Sequence, residues 1–160
     1  NLAMSTDDDF RLGMRELKEQ IAITRPHQAV WELLADFGGV CQWAPYMKTS
    51  HLIGDAQSGV GMRRGMRHAW GFRFEEAVTQ WNDGQGFSFD VLRAPFPMKD
   101  VRESWEISHE NGISIVSTHV SYDMKLGVLG RAIDWFLVRF IVRREMRSGL
   151  KGLKAHSEQG

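Results

Sequence analysis

Apolar and polar residues alternate along much of the chain, in short stretches that end at turn-forming residues. Alternation with a period of two residues is typical of β-strands that bury one face. A first strand is predicted over residues 16–24. The later predicted strands cover residues 48–54, 62–69, 70–81, 86–93, 101–108 and 113–124.

Two regions follow a helical pattern instead. Pro26 suits the first turn of a helix, because its φ is fixed and that turn does not need the N–H that proline lacks. This helix is predicted to end at Gly38-Gly39, and a second short helix is predicted over residues 41–47. Residues 127 to about 156 predict one long C-terminal helix.

Short turns join the predicted strands, with the strongest hairpin signals at Asn82-Asp83-Gly84 and Asn111-Gly112. Strands joined in this way form an antiparallel meander, whose apolar face needs a cover. Only the C-terminal helix is long enough to provide it. Its apolar residues form two adjoining stripes, Leu129, Ile133, Phe136 and Phe140 in one, and Trp135, Val138, Val142 and Met146 in the other.

So wide an apolar surface predicts a helix that is gripped by a curved sheet. The predicted fold class is α+β, with a curved antiparallel sheet of about six or seven strands wrapped around the long C-terminal helix. Two short helices follow the first strand. Residues 16–157 are predicted to form a single domain, and residues 1–15 a disordered or tag-like N-terminus.

Alternation places several polar residues on the inner face of the sheet, among them Arg64, His68, Glu76 and Glu103. A buried charge is costly unless it has a partner, and Arg64 and Glu76 lie on neighbouring predicted strands. They form either a structural salt bridge or the polar anchor of a binding pocket.

The chain is rich in bulky side chains, with six Trp, nine Phe and eight Met. These residues either fill a core or line a roomy pocket. The predicted lining of such a pocket is Trp43, Arg64, Met66, His68, Phe72, Phe74, Glu76, Phe89, Trp105, Tyr122, Phe136 and Phe140.

Charge and cysteine content exclude some classes of protein. Twenty basic residues balance twenty acidic ones, which argues against a general nucleic-acid binder. Cys41 is the single cysteine, so no intrachain disulfide forms.

The start of the chain is polar and shows no secretory signal, which favours a cytoplasmic location. No pair of histidines has metal-ligand spacing, so neither a metal nor another cofactor is predicted.

Several segments resemble the START-like (SRPBCC) superfamily, and within it the polyketide cyclase/dehydrase and lipid-transport-like family. These segments are residues 23–37, Trp43-Ala44-Pro45, residues 59–64, Glu76-Ala77-Val78 and the closing helix from Leu129 to Leu153. The resemblance covers about residues 16–157. It implies the helix-grip fold, with a cavity between the sheet and the last helix.

The family includes lipid and sterol carriers, coenzyme-Q-binding proteins, aromatase/cyclases and activators of chaperone ATPases, so the resemblance leaves several functions open. The first is binding of a hydrophobic molecule such as a lipid, a quinone, a polyketide or an aromatic compound. The second is a cyclase-type enzyme that uses the same cavity. Its candidate general acids or bases are His68, Glu76, Glu103 and Tyr122, and Arg64 is the candidate for stabilising an enolate or carboxylate.

A third function rests on the basic C-terminal helix. Arg139, Arg143 and Arg147 are spaced four apart and share a helix face. This face is either a solvated helix end or a contact with an anionic membrane or an acidic protein. No nucleophile next to a base is visible, so binding is predicted in preference to catalysis.

Overall fold

Seven antiparallel strands form one sheet in the order β1-β7-β6-β5-β4-β3-β2. This computed structural model describes residues 14–160, so the predicted N-terminal tag at residues 1–15 falls almost wholly outside the described residues. The strands are β1 Arg15–Ile23, β2 Met47–Ile53, β3 Arg63–His68, β4 Arg73–Asn82, β5 Gly86–Arg93, β6 Met98–Glu110 and β7 Ile113–Met124.

Each strand from β2 to β6 pairs with the next one along the chain, and β1 forms the other edge of the sheet by pairing with β7. The predicted meander is therefore confirmed. In the β6–β7 hairpin, Asn111 and Gly112 both have positive φ values of 50° and 80°. Asn and Gly tolerate this backbone conformation best, which is why this pair ends β6 so sharply.

The helix α1 (His27–Ala35) begins directly after Pro26, as predicted. The second short helix is a 3₁₀ helix over Phe37–Gln42, not a helix over residues 41–47. The Asp36 carboxylate accepts a hydrogen bond from the Gly39 N–H at 3.1 Å and starts this new helix. Gly38-Gly39 therefore lies inside the second helix and does not end the first.

The predicted strand over residues 70–81 begins three residues late. The chain turns at Gly71, whose φ is 91°, and the His68 N–H donates to the Phe72 carbonyl at 2.8 Å. Trp70 and Phe72 consequently lie at the β3–β4 turn, where both side chains are exposed.

The C-terminal helix has three parts, α2 (Gly127–Ile133), a π-helical turn (Asp134–Val138) and α3 (Arg139–Gln159). Its buried residues Gly130, Asp134 and Val138 are spaced four apart, and Met146 continues the row. In a straight α-helix of 3.6 residues per turn such a row drifts around the axis. The π turn holds more residues per turn and keeps the row facing the sheet.

The exposed residues correct the predicted stripes. Leu129, Phe136 and Phe140 of the first stripe are exposed, as is Trp135 of the second, whereas Val138 and Met146 are buried. At about 100° per residue, Phe136 and Phe140 lie nearly opposite Val138 on the helix, so the two stripes do not adjoin and only one of them can face the sheet.

The π turn is tied to the sheet through Asp134. The Tyr122 hydroxyl on β7 donates to Asp134 Oδ1 at 2.5 Å, and Arg15 Nε on β1 donates to Oδ2 at 2.7 Å. Both carboxylate oxygens of this buried side chain therefore have partners, as a buried charge requires.

Close packing fixes the other end of the helix. A Cβ atom at Gly152 would lie 1.9 Å from the Trp43 carbonyl oxygen, and one at Gly149 would lie 2.7 Å from the Tyr46 hydroxyl. Only glycine allows α3 to approach the Trp43–Tyr46 segment this closely. Leu150 and Leu153 are buried in the same core cluster as Trp43.

We expect Gly152→Ala to lower the free energy of unfolding by about 1–3 kcal/mol, because the added methyl group meets backbone that cannot move aside. In most helices a Gly→Ala change stabilises the protein by up to about 1 kcal/mol. A decrease in the free energy of unfolding is therefore diagnostic of the close approach at Gly152. Urea denaturation measures the effect. Lys151→Ala, at the exposed neighbouring position, is the control and should shift stability by less than about 0.5 kcal/mol. Stabilisation by Gly152→Ala would contradict the close approach.

Candidate functional site

A cavity of about 320 Å³ lies between the concave face of the sheet and the C-terminal helix. Two core clusters flank it. One contains Trp43, Met66 and Trp105, and the other contains Val120 and Val138. Members of both clusters line the cavity, so it is a gap between two packed regions of the core. A volume near the lower end of the usual range for ligand pockets suits a small molecule.

Most of the predicted lining residues meet at this cavity. Those that line it are Trp43, Arg64, Met66, His68, Phe72, Phe74, Glu76 and Trp105.

Four predicted residues lie elsewhere. Phe89 is buried in the core against Phe37, with ring centroids 5.6 Å apart. Tyr122 is buried at the π turn, where its hydroxyl is held by Asp134. Phe136 and Phe140 are exposed to solvent, because they lie on the side of the helix opposite the buried Val138.

The closed end of the cavity carries the ion pair that the strand pattern indicates. Arg64 and Glu76 are paired directly across β3 and β4, and both Nε and Nη2 of Arg64 lie 2.7 Å from Glu76 Oε2. Arg64 Nη1 donates to the Phe37 carbonyl at 2.8 Å, and the guanidinium lies 3.8 Å from the centroid of the Phe37 ring. Burial raises the pKa of Glu76, and Arg64 opposes this shift.

Glu103 is a carboxyl group of the cavity that has no cationic partner among residues 14–160. Its Oε1 accepts hydrogen bonds from Trp105 Nε1 at 2.7 Å and from the Thr118 hydroxyl at 3.0 Å. Its Oε2 accepts none from residues 14–160. Burial, reinforced by the negative charge of Glu76, raises the pKa of Glu103 to about 7. The cavity thus holds a carboxyl group that gains or loses a proton near neutral pH.

His68 links the sheet to the helix near the mouth of the cavity. Its Nδ1 accepts a hydrogen bond from the Trp70 N–H at 3.0 Å, which assigns the ring proton to Nε2. Nε2 donates to Glu145 on α3 at 2.7 Å. Burial raises the pKa of Glu145, and the contact with His68 opposes the shift.

Tyr46 and Glu145 line the cavity, but neither was among the predicted site residues. Burial, with Glu103 next in importance, raises the pKa of Tyr46 far above its usual value, so its hydroxyl stays protonated. Tyr46 lies in a turn with no periodic pattern to indicate its direction. Glu145 had one available signal, since it is the single acidic residue between Arg139 and Lys154.

The cavity can therefore enclose an apolar molecule and present hydrogen-bonding groups to it. Among the described residues, no cluster of three or more potential metal ligands occurs. A larger and more open depression of about 1100 Å³ involves β5 and β6, but charged residues such as Asp90, Arg93 and Arg102 line it. It does not suit an apolar ligand.

Solved structures with similar folds have low sequence identity to this chain. An uncharacterized protein from Bacillus thuringiensis has a TM-score of 0.70 and 19% identity, and the match covers 88% of this chain and 97% of that one. The protein XoxI from Bacillus cereus has a TM-score of 0.69 and 21% identity, with coverage of 88% and 93%. Ara h 8.0201 has a TM-score of 0.74 and 10% identity, with coverage of 92% and 100%.

These likenesses support the fold alone, which is the helix-grip fold that the sequence predicts. No protein with a curated description matches the chain. The family described as "Polyketide cyclase / dehydrase and lipid transport" matches residues 14–158, which span both core clusters and the cavity between them. The chain belongs to this family.

Proposed function

We propose that the protein binds one hydrophobic small molecule in the cavity between the sheet and the C-terminal helix. The observation that carries the proposal is the cavity itself, about 320 Å³ of space with mostly apolar walls in the middle of the core. Protein interiors are close-packed, so an unfilled space of this size is costly unless a ligand occupies it. The family match is in keeping with this function.

The charges around the cavity narrow the class of ligand. Arg64 is already neutralised by Glu76, and Glu103 and Glu145 are further acidic groups at the wall. An anionic head group would meet carboxyl groups with no free cation among the lining residues 14–160 to receive it. The ligand is therefore a neutral molecule with an apolar body and one hydrogen-bonding group, which Glu103 Oε2 or the Tyr46 hydroxyl contacts.

One observation favours a cyclase-type enzyme as a second candidate. Glu103, with a pKa of about 7, has the protonation behaviour of a general acid or base at neutral pH. Turnover of a polyketide-like substrate that is lost in Glu103→Gln, with ligand affinity retained, would establish this alternative. Tyr122 is not part of it, because its hydroxyl is held by Asp134.

Two ion pairs limit the charge that Arg139, Arg143 and Arg147 can offer to a membrane or an acidic protein. Arg143 and Arg147 both bind Glu19 on β1, at 3.2 and 3.1 Å. Part of their charge therefore holds the helix on the sheet. Arg139 and Arg144 remain for an anionic partner.

The first test fills the cavity. The neutral fluorophore N-phenyl-1-naphthylamine should bind the native chain with one site per chain. Val142→Trp should weaken binding at least about tenfold, because the larger ring occupies the space that the probe needs. Val60→Trp, at an exposed position away from the cavity, is the matched control. Unchanged affinity in a folded Val142→Trp variant would contradict the proposal.

The second test compares head groups. 1-Decanol should displace the fluorophore at least about tenfold more effectively than decanoate at pH 8, because the carboxylate meets Glu103 and Glu145. In Glu103→Gln the difference should shrink. Equal displacement by the two compounds in the native chain would contradict the assignment of a neutral ligand.

The third test follows the pH. A ligand that covers Glu103 excludes water and disfavours its charged form, so affinity for the fluorophore should fall as the pH rises through about 7. Below this range the carboxyl group is protonated in the free chain and binding is at its tightest. Titrations from about pH 6 to pH 8 measure the effect. Glu103→Gln should abolish the dependence, and a dependence that persists in it would assign the titration to another group.

A further inference from the structure

Seven large apolar side chains are exposed along one segment of the C-terminal helix. Val128 is 82% exposed and Phe136 is 77% exposed. Together they form a surface, here called the apolar face, that consists of Leu126, Val128, Leu129, Trp135, Phe136, Leu137 and Phe140. Exposed apolar residues scattered singly are normal, but a concentration of this kind marks an interaction surface.

The apolar face adjoins the mouth of the cavity. Leu137 belongs to the face and also lines the cavity. Phe96, Trp70 and Phe72 are likewise both exposed and part of the cavity wall. The mouth is thus framed by apolar side chains from the β5–β6 loop, the β3–β4 turn and the helix. A partner that covers this surface also covers the entrance to the cavity.

The exposed charges on residues 125–144 are basic. The basic residues of this segment are Lys125, Arg131, Arg139, Arg143 and Arg144, of which Arg143 also binds Glu19. Its one acidic residue, Asp134, is buried and bound to Arg15 and Tyr122. The Arg139 guanidinium lies 4.0 Å from the Trp135 ring centroid and 4.6 Å from that of Phe140. Cations interleaved with exposed aromatic rings are typical of helices that lie in the interface of an anionic membrane.

We propose that the apolar face docks on an anionic lipid membrane, with the mouth of the cavity turned toward the lipid. The basic residues meet the head groups, and Val128, Trp135 and Phe136 enter the interfacial layer. A second copy of the chain fits less well, because a symmetric contact would bring the same basic residues together. None of the helices within residues 14–160 is long and apolar enough to cross a membrane.

Docking in this orientation lets a hydrophobic molecule pass between the bilayer and the cavity without crossing water. That consequence rests on the proposed function, whereas the docking itself does not. Measurements of vesicle binding and of fluorophore binding on the same variants therefore separate a failure of one proposal from a failure of the other.

The experiment is flotation of the full chain with vesicles of phosphatidylcholine, alone or with about 30% phosphatidylserine, at low and high salt. The chain should float with the anionic vesicles and bind them less at high salt. The double variant Val128→Ser, Phe136→Ser should reduce the partition coefficient at least about tenfold, since both side chains are exposed. Arg144→Glu should reduce it at least about fivefold.

Val60→Ser is the matched control, since Val60 is exposed in the turn before β3. It should leave vesicle binding unchanged. None of these variants should alter the affinity for N-phenyl-1-naphthylamine, because Val128, Phe136 and Arg144 do not line the cavity. A second readout is quenching of tryptophan fluorescence by brominated phosphatidylcholine, which should decrease in Trp135→Phe.

Several results would overturn the proposal. One is a chain that stays in the aqueous phase with anionic vesicles at low salt. Another is binding that the Val128→Ser, Phe136→Ser variant retains in full. A dimer that this variant dissociates, without any vesicle binding, would assign the face to a second copy. Vesicle binding that begins only after removal of residues 1–13 would assign it to the chain's own N-terminal segment.

Discussion

The contact between the C-terminal helix and the concave sheet determines how this molecule is organised, because one helix has to cover a face that is wider than itself. At one end, Gly149 and Gly152 let α3 come down onto the Trp43–Tyr46 segment. At the other end, Asp134 ties the π turn to β1 and β7. Between these two attachments Val138 and Met146 share a core cluster with Val120, and Arg143 and Arg147 bind Glu19 on β1. The cavity is the space that the helix leaves open over the rest of the concave face.

The electrostatics of the interior follow a simple rule with one exception. Asp134 is held by Arg15 and Tyr122, and Glu76 is held by Arg64, so each deeply buried carboxylate has its partner. Glu103 faces the same cavity with two neutral donors on one oxygen and a pKa near 7. Under the proposed function, this carboxyl group is one of the two polar groups that contact the ligand.

The strand pattern predicted most of the fold. β5 and β7 begin and end where alternation indicates, because flanking turns with glycine, asparagine or proline delimit them. Alternation also put Arg64 and Glu76 on the inner face, and their neighbouring strands bring them together. These successes share a cause, since a period of two residues and a hairpin turn are both local properties of the sequence.

What the sequence could not reveal depends on contacts between distant residues. The π turn is held by Arg15 and Tyr122 on the sheet. Glu145 is held at the cavity by a hydrogen bond from His68, which is far away in the chain. The local pattern of the helix does not indicate these partners. The exposure of Phe136 is different, because helical geometry alone places it opposite Val138 once Val138 faces the sheet. The exposed aromatic residues form the surface beside the cavity mouth.

A crystal structure of the chain grown with 1-decanol tests ligand binding in the cavity most directly. We expect continuous density between Trp105 and Val138, with the hydroxyl group within hydrogen-bond distance of Glu103 Oε2 or the Tyr46 hydroxyl. A cavity closed by rearranged side chains, with no ligand between the sheet and the helix, would contradict it.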